Sequence, residues 1–257
     1  MTEKLSSSAR AYLNNLDLPP QPRGASFEAA PEFTGKDQVV AVAAQLTEFT
    51  DAVSADLRKT ISDGMLLAQL AADKVAADKE ATNASQDVFA WYKRYVEVLK
   101  NIGWVLTDED LDFKDADNSV VSLHKAIIPV ITAMLGPMAV LPMVISVLRG
   151  LEEMDKNSPW ITLFDHSSQH AQGAKFQVGY VSANAQGDPQ MVLACFGIDA
   201  RRRITQVLFL KSSIDQATIR KASTTLTNTV DRLNASKDVI GSRVGPFIND
   251  FIKSVDI

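Results

Sequence analysis

Apolar positions recur along the first half of the chain at three- and four-residue steps. Leu5, Ala9, Leu13 and Leu16 form one stripe, so residues 1–16 read as a short helix. Prolines and glycines crowd the next stretch (Pro19, Pro20, Pro22, Gly24, Pro31, Gly35), which predicts an extended arm over 17–36. From Lys36 the stripe Val39, Val42, Leu46, Phe49, Val53 and Leu57 predicts a helix that continues through Ile61, Met65, Leu70 and Val75. Ser85 and Asp87 open a third helix with its stripe at Phe89, Tyr92, Val96 and Leu99, and Gly103 is its stop signal. Trp104 to Leu106 reads as a short strand, and Asp108 to Asn118 as an acidic loop.

Residues 126–148 carry no charge. That run is long enough to span a membrane, but Pro129, Gly136, Pro137 and Pro142 interrupt it. The reading is two buried helices joined near Gly136, the second running from about Pro142 to Met154.

After Trp160 the period changes to two. Phe176, Val178 and Tyr180 share a face, residues 185–189 form a turn, and residues 191–198 are apolar on both faces, as in a strand covered from both sides. Residues 204–210 complete a meander, and helices are predicted over 215–233 and 238–255. The fold class is therefore α+β: a helix-rich N-terminal half, an antiparallel β-meander over about 175–211 packed against helices, and two C-terminal helices. The expected organisation is an N-terminal helix and Pro-rich arm (1–36) followed by a single α+β domain (37–257).

A net charge of −5 argues against a nucleic-acid partner, which needs a basic face. The first residues show no basic start followed by an apolar run, so the expected location is cytoplasmic, or exported without a signal peptide.

Familiar chemical signatures fail one by one. The acidic run from Asp108 lacks glycine at the sixth place and glutamate at the twelfth, where Phe113 and Ser119 stand, so it is not a calcium loop. His166 and His170 lie four apart beside Asp165, but no second ligand pair follows, and Ser167 to Gln169 suggest a loop. There is no nucleophile elbow and no phosphate-cradling glycine loop. Arg201, Arg202 and Arg203 form a basic turn that solvation explains, with anionic lipid headgroups as the alternative. No metal, cofactor or catalytic residue is assigned, and the chain is expected not to be an enzyme.

Cys195 is the sole cysteine, flanked by Val192, Leu193, Ala194, Phe196 and Ile198. Apolar surroundings raise a thiol's pKa and blunt its nucleophilicity. Two readings remain: a small buried hydrophobe, or the anchor of a thioester whose acyl chain lies in the apolar interior.

The segment from Met191 to Gly197 with its lone Cys195, the position of that cysteine about sixty residues before the end, the chain length and the mixed α/β order resemble the bacterial Evf-type virulence-factor family. The resemblance implies a compact α/β protein carrying palmitate on cysteine through a thioester, with a role in persistence in an insect gut and membrane association. By position only Cys195 maps. The functional expectation is a non-enzymatic virulence-type protein carrying or binding a fatty acyl chain, S-palmitoylated at Cys195, with an acyl chain or membrane lipid as partner and membrane association through acylation. Two alternatives stand beside it: a membrane-inserting toxin component using 126–148, and a hydrolase or acyltransferase using Cys195 or a serine near His166 and His170.

Overall fold

The structure is a computed structural model that describes residues 6–21, 31–78, 84–115, 123–135, 141–170, 173–199, 204, 206–210 and 218–255. Its elements in chain order begin with α1 (Ser7–Asn15), β1 (Gln38–Val42), β2 (Gln45–Phe49), α2 (Ala55–Asp78), α3 (Ala84–Asn101) and β3 (Val105–Asp115). There follow α4 (Leu123–Leu135), α5 (Pro142–Gly150), α6 (Pro159–Ser168), β4 (Gln169–His170), β5 (Gly173–Ala183) and β6 (Pro189–Asp199). The chain closes with β7 (Thr218–Thr227), α7 (Val230–Val244), α8 (Ile248–Phe251) and β8 (Ile252–Ser254).

One sheet organises these elements, with strand order β3-β7-β6-β5-β2-β1-β8 and β4 pairing beside β5. Every pairing is antiparallel except β2 with β5. Both faces of the sheet are covered. One face packs Val40, Val42, Phe49, Leu193, Cys195 and Leu226 against α1, α2, α3 and α7. The other packs Val39, Leu46, Phe176, Val178, Phe196 and Ile219 against α4, α5, α6 and the 204–210 segment.

The α+β class, the antiparallel meander packed on helices and two closing helices are all present. Several elements lie elsewhere than the periodicity places them. Residues 38–49 form a hairpin, not the start of a helix: the two strands turn at Ala43, with φ 47°, and Ala44. Both strands are buried on both faces: β1 is apolar from Val39 to Val42, and β2 buries Gln45, Thr47 and Glu48 beside Leu46 and Phe49, so the apolar positions alone mimic a helical stripe. The side chain of Gln69 on α2 ties the turn, donating to Val42 O at 2.7 Å and accepting from Ala44 N at 3.0 Å.

The third strand of the meander is β7, not 204–210, whose described residues form turns. The threonines that weaken a helix over 215–233 suit a strand, where β-branched side chains pack well on the pleat. The helix after it is α7, which gives way to a 3₁₀ turn at Gly245–Phe247 and then to α8 and β8, so 238–255 is not one helix. The acidic stretch is mostly strand: β3 pairs with β7 along one edge of the sheet, where Asp108, Glu109 and Asp110 are exposed. Residues 159–168 are a helix, so His166 sits on α6 and not in a loop.

Other expectations hold. The short N-terminal helix is α1, which Ser6 caps by accepting from Ala9 N at 3.2 Å. The stop of α3 is Gly103, with φ 104°, where Trp104 N donates to Leu99 O at 3.1 Å. The uncharged run is two helices, α4 and α5, with Pro129 inside the first. The second ends at Gly150, followed by a 3₁₀ turn. Among the described residues no helix is long and apolar enough to cross a membrane. The Arg201–Arg203 cluster and residues 136–140 lie outside the described residues.

Candidate functional site around Cys195

Cys195 lies on β6, an interior strand, with its side chain fully buried on the face under α2 and α3. Sheet register sets its neighbours. Gln177 of β5 is directly opposite on one side, and Ala222 of β7 on the other. Gln45 of β2 in turn pairs with Gln177. Directly opposed residues share a face, so Gln45, Gln177, Cys195 and Ala222 form a row across four strands.

This row and the one beside it carry polar groups inside an apolar core. Gln45, Thr47, Gln177 and Thr224 are all buried. Their hydrogen bonds run to α3 and among themselves: Tyr95 Oη donates to Gln45 Oε1 at 2.8 Å, and Gln45 Nε2 donates to Thr47 Oγ1 at 2.9 Å. Tyr92 Oη bonds Thr224 Oγ1 at 2.8 Å. The rings of Tyr92 and Tyr95 stack 6.4 Å apart, and Trp91 stacks on Tyr95 at 5.6 Å. Gly179 makes room for the row, since a Cβ there would lie 3.0 Å from Gln45 Nε2 and 3.1 Å from Thr47 Oγ1.

Gln177 is the exception in this network. Its side chain is fully buried, and neither Nε2 nor Oε1 has a hydrogen-bond partner among the described residues.

Beside the row stands Lys175, two residues before Gln177 and buried on the same face of β5. Its ammonium pairs with Asp73 of α2 and lies 4.2 Å from the centroid of the Trp91 ring. Asp73 Oδ1 also accepts from Trp91 Nε1 at 2.7 Å. Burial lowers the lysine's pKa, opposed by Asp73. Burial also pushes the Cys195 thiol well above its ordinary range, and Lys175 pulls it back only in part. The thiol is therefore protonated at neutral pH. Tyr92 and Tyr95 are raised by burial in the same way, Cys195 adding to each. The arrangement is a dry, aromatic-roofed site around one uncharged thiol. It lacks the exposed setting of a reactive cysteine, and the ammonium beside it, Lys175, is paired with Asp73.

The histidines of the alternative reading are elsewhere. His166 is exposed on α6 and His170 is in β4, so they share no helix face. His124 opens α4 on the other side of the sheet, its Nδ1 3.0 Å from Leu208 O.

Cys195 and its apolar neighbours are legible in the sequence; the polar companions are not. A weak signal exists for them: Lys175, Gln177 and Gly179 alternate with Phe176, Val178 and Tyr180, which marks the other face of β5 as unusual. Gln45 and Thr47 interrupt an otherwise apolar hairpin.

No protein-family model matches the chain, and no curated protein does. Several solved structures resemble it weakly. One is a delta-endotoxin, 10% identical over 83% of this chain and 90% of that one, with a TM-score of 0.41. Another is the activated Cyt2Ba monomer from Bacillus thuringiensis subsp. israelensis, 11% identical over 54% and 80%, at 0.32. A third is the Evf virulence factor, 12% identical over 95% and 89%, also at 0.32. The resemblance to the Evf virulence factor and to these toxins is thus weak, structural and without a sequence-level tie.

Proposed function

We propose that the chain is a non-enzymatic protein of virulence type that carries a fatty acyl chain on Cys195 as a thioester and associates with membrane lipid. The observation that supports this most is the setting of Cys195: a fully buried, protonated thiol on an interior strand, roofed by the aromatic face of α3. Such a setting suits a chain whose methylenes each gain about 0.8 kcal/mol on leaving water. It does not suit turnover, which needs an accessible thiolate.

The loading step transfers an acyl group from an acyl thioester donor. A bond forms between Cys195 Sγ and the acyl carbon, the donor's carbon–sulfur bond breaks, and the thiol proton leaves with the donor's thiolate. Burial closes the thiol in the folded chain, so loading precedes closure of α2 and α3 over the sheet.

Intact mass of the protein from its native source tests the proposal. The expected result is one acyl group above the mass of the sequence, lost in neutral hydroxylamine and missing from Cys195→Ala. A mass equal to the bare sequence overturns it.

A second reading, insertion of 126–148 into a membrane, draws support from α4 and α5, which hold no charged residue from Ala126 to Leu148 among their described positions. Leakage of anionic or neutral liposomes at acidic or neutral pH is the expected sign; intact liposomes under all four conditions eliminate this reading.

A further inference from the structure

We infer that Gln177 holds the carbonyl of the acyl thioester on Cys195; this rests on the acylation reading above and adds the residue that recognises the linkage. Gln177 is fully buried and stands directly across from Cys195 in the β5–β6 register, so the two side chains share the face under α3. Neither end of its amide finds a partner among the described residues. A buried amide open at both ends is costly, and native interiors rarely keep one without a use.

The surrounding polar groups are already engaged. Tyr95 Oη donates to Gln45 Oε1, Gln45 Nε2 donates to Thr47 Oγ1, and Tyr92 Oη is bonded to Thr224 Oγ1. The neighbour that changes its hydrogen-bonding character on loading is the sulfur of Cys195. The free thiol offers only a weak S–H donor, and Gln177 Oε1 takes no hydrogen bond from it. The thioester loses that hydrogen and brings a carbonyl acceptor, which suits Gln177 Nε2. Loading thus brings Gln177 Nε2 the acceptor it lacks beside the free thiol. A leucine or methionine of similar volume offers no such donor. Gln177 exchanges no proton in the transfer; it is a binding and positioning residue.

The test uses protein from the native source grown with palmitate labelled with carbon-13 at the carbonyl, its loading read by intact mass, and isotope-edited infrared spectroscopy of the thioester stretch. The expected stretch lies below that of a palmitoyl thioester in hydrocarbon solvent, and it moves up in Gln177→Met. A wild-type stretch at the hydrocarbon value overturns this inference and leaves acylation standing. Protein without any acyl mass overturns acylation and this inference with it. The comparison with hydrocarbon needs no variant, so it decides the matter even if the Gln177→Met chain does not fold.

Discussion

At the scale of single residues, two buried carboxylates hold the layer opposite the thiol. Glu48 of β2 is 2% exposed and accepts from Met143 N at 3.1 Å and Val144 N at 2.9 Å, at the first turn of α5. Burial pushes its pKa up to about 7 against the pull of those two amides. Asp165 of α6 accepts from Val207 N at 2.7 Å, and burial raises it to about 6. For a carboxyl raised on folding, the native state binds the proton more tightly than the unfolded chain does. Its contribution is fully present below the unfolded pKa and is lost as pH rises through the folded one. Glu48 therefore disfavours folding increasingly between about pH 4.5 and 7. Glu48→Gln keeps the acceptor and removes the charge. It should stabilise the fold at pH 8 by on the order of 1–2 kcal/mol after allowing for partial solvation, raising the thermal midpoint there, and leave the midpoint nearly unchanged at pH 4. Thermal unfolding of both chains across pH 4 to 8 checks this; parallel curves would refute the assignment.

At the scale of elements, Arg58 of α2 ties together the backbone on either side of the β1–β2 hairpin, whose turn Gln69 holds. Arg58 is fully buried; its Nε donates to Val53 O at 2.8 Å, and its two terminal nitrogens donate to Thr50 O at 2.7 Å and to Lys36 O. Arg58→Met fills the volume and leaves three carbonyls without that donor, which should cost about 3 kcal/mol or more. Arg58→Lys should recover little, since one ammonium cannot reproduce the planar fork. Urea unfolding midpoints measure both, and a lysine variant as stable as wild type would show that charge alone suffices. None of this is visible in the sequence, where Arg58 reads as the polar side of a helix. What is legible follows a general division. Elements with one wet face, such as α3, announce themselves by period and end at a marked glycine. Elements dry on both sides, such as β1, β2 and β6, lose the alternation that would identify them, and β6 is legible only because its two-faced apolar run follows the turn at 185–189. The site suffers more. Gln45, Gln177, Cys195 and Thr224 meet only through strand register, and their separations along the chain carry no hint of it.

At the scale of the molecule, the sheet divides two cores that have different chemistry. The α2–α3 side holds Cys195, its polar row and the Lys175–Asp73 pair. The α4–α6 side holds the contacts of Glu48 and Asp165, both tuned near neutrality. Helices reach the sheet through side-chain packing, while the strands share one continuous backbone ladder, so local opening of one layer can leave the other in place. Amide hydrogen exchange resolves this. After correction for the intrinsic pH dependence of exchange, protection of α5 should fall from pH 5 to pH 8 in the wild type, as the carboxylate of Glu48 becomes charged beneath it. In Glu48→Gln that fall should be much reduced for α5, whereas protection of α2 and α3 should follow the same pH course in both chains. A change that spreads equally to α2 and α3 would mean that the two layers open as one unit, and that a proton taken up on one face is felt at the thiol on the other.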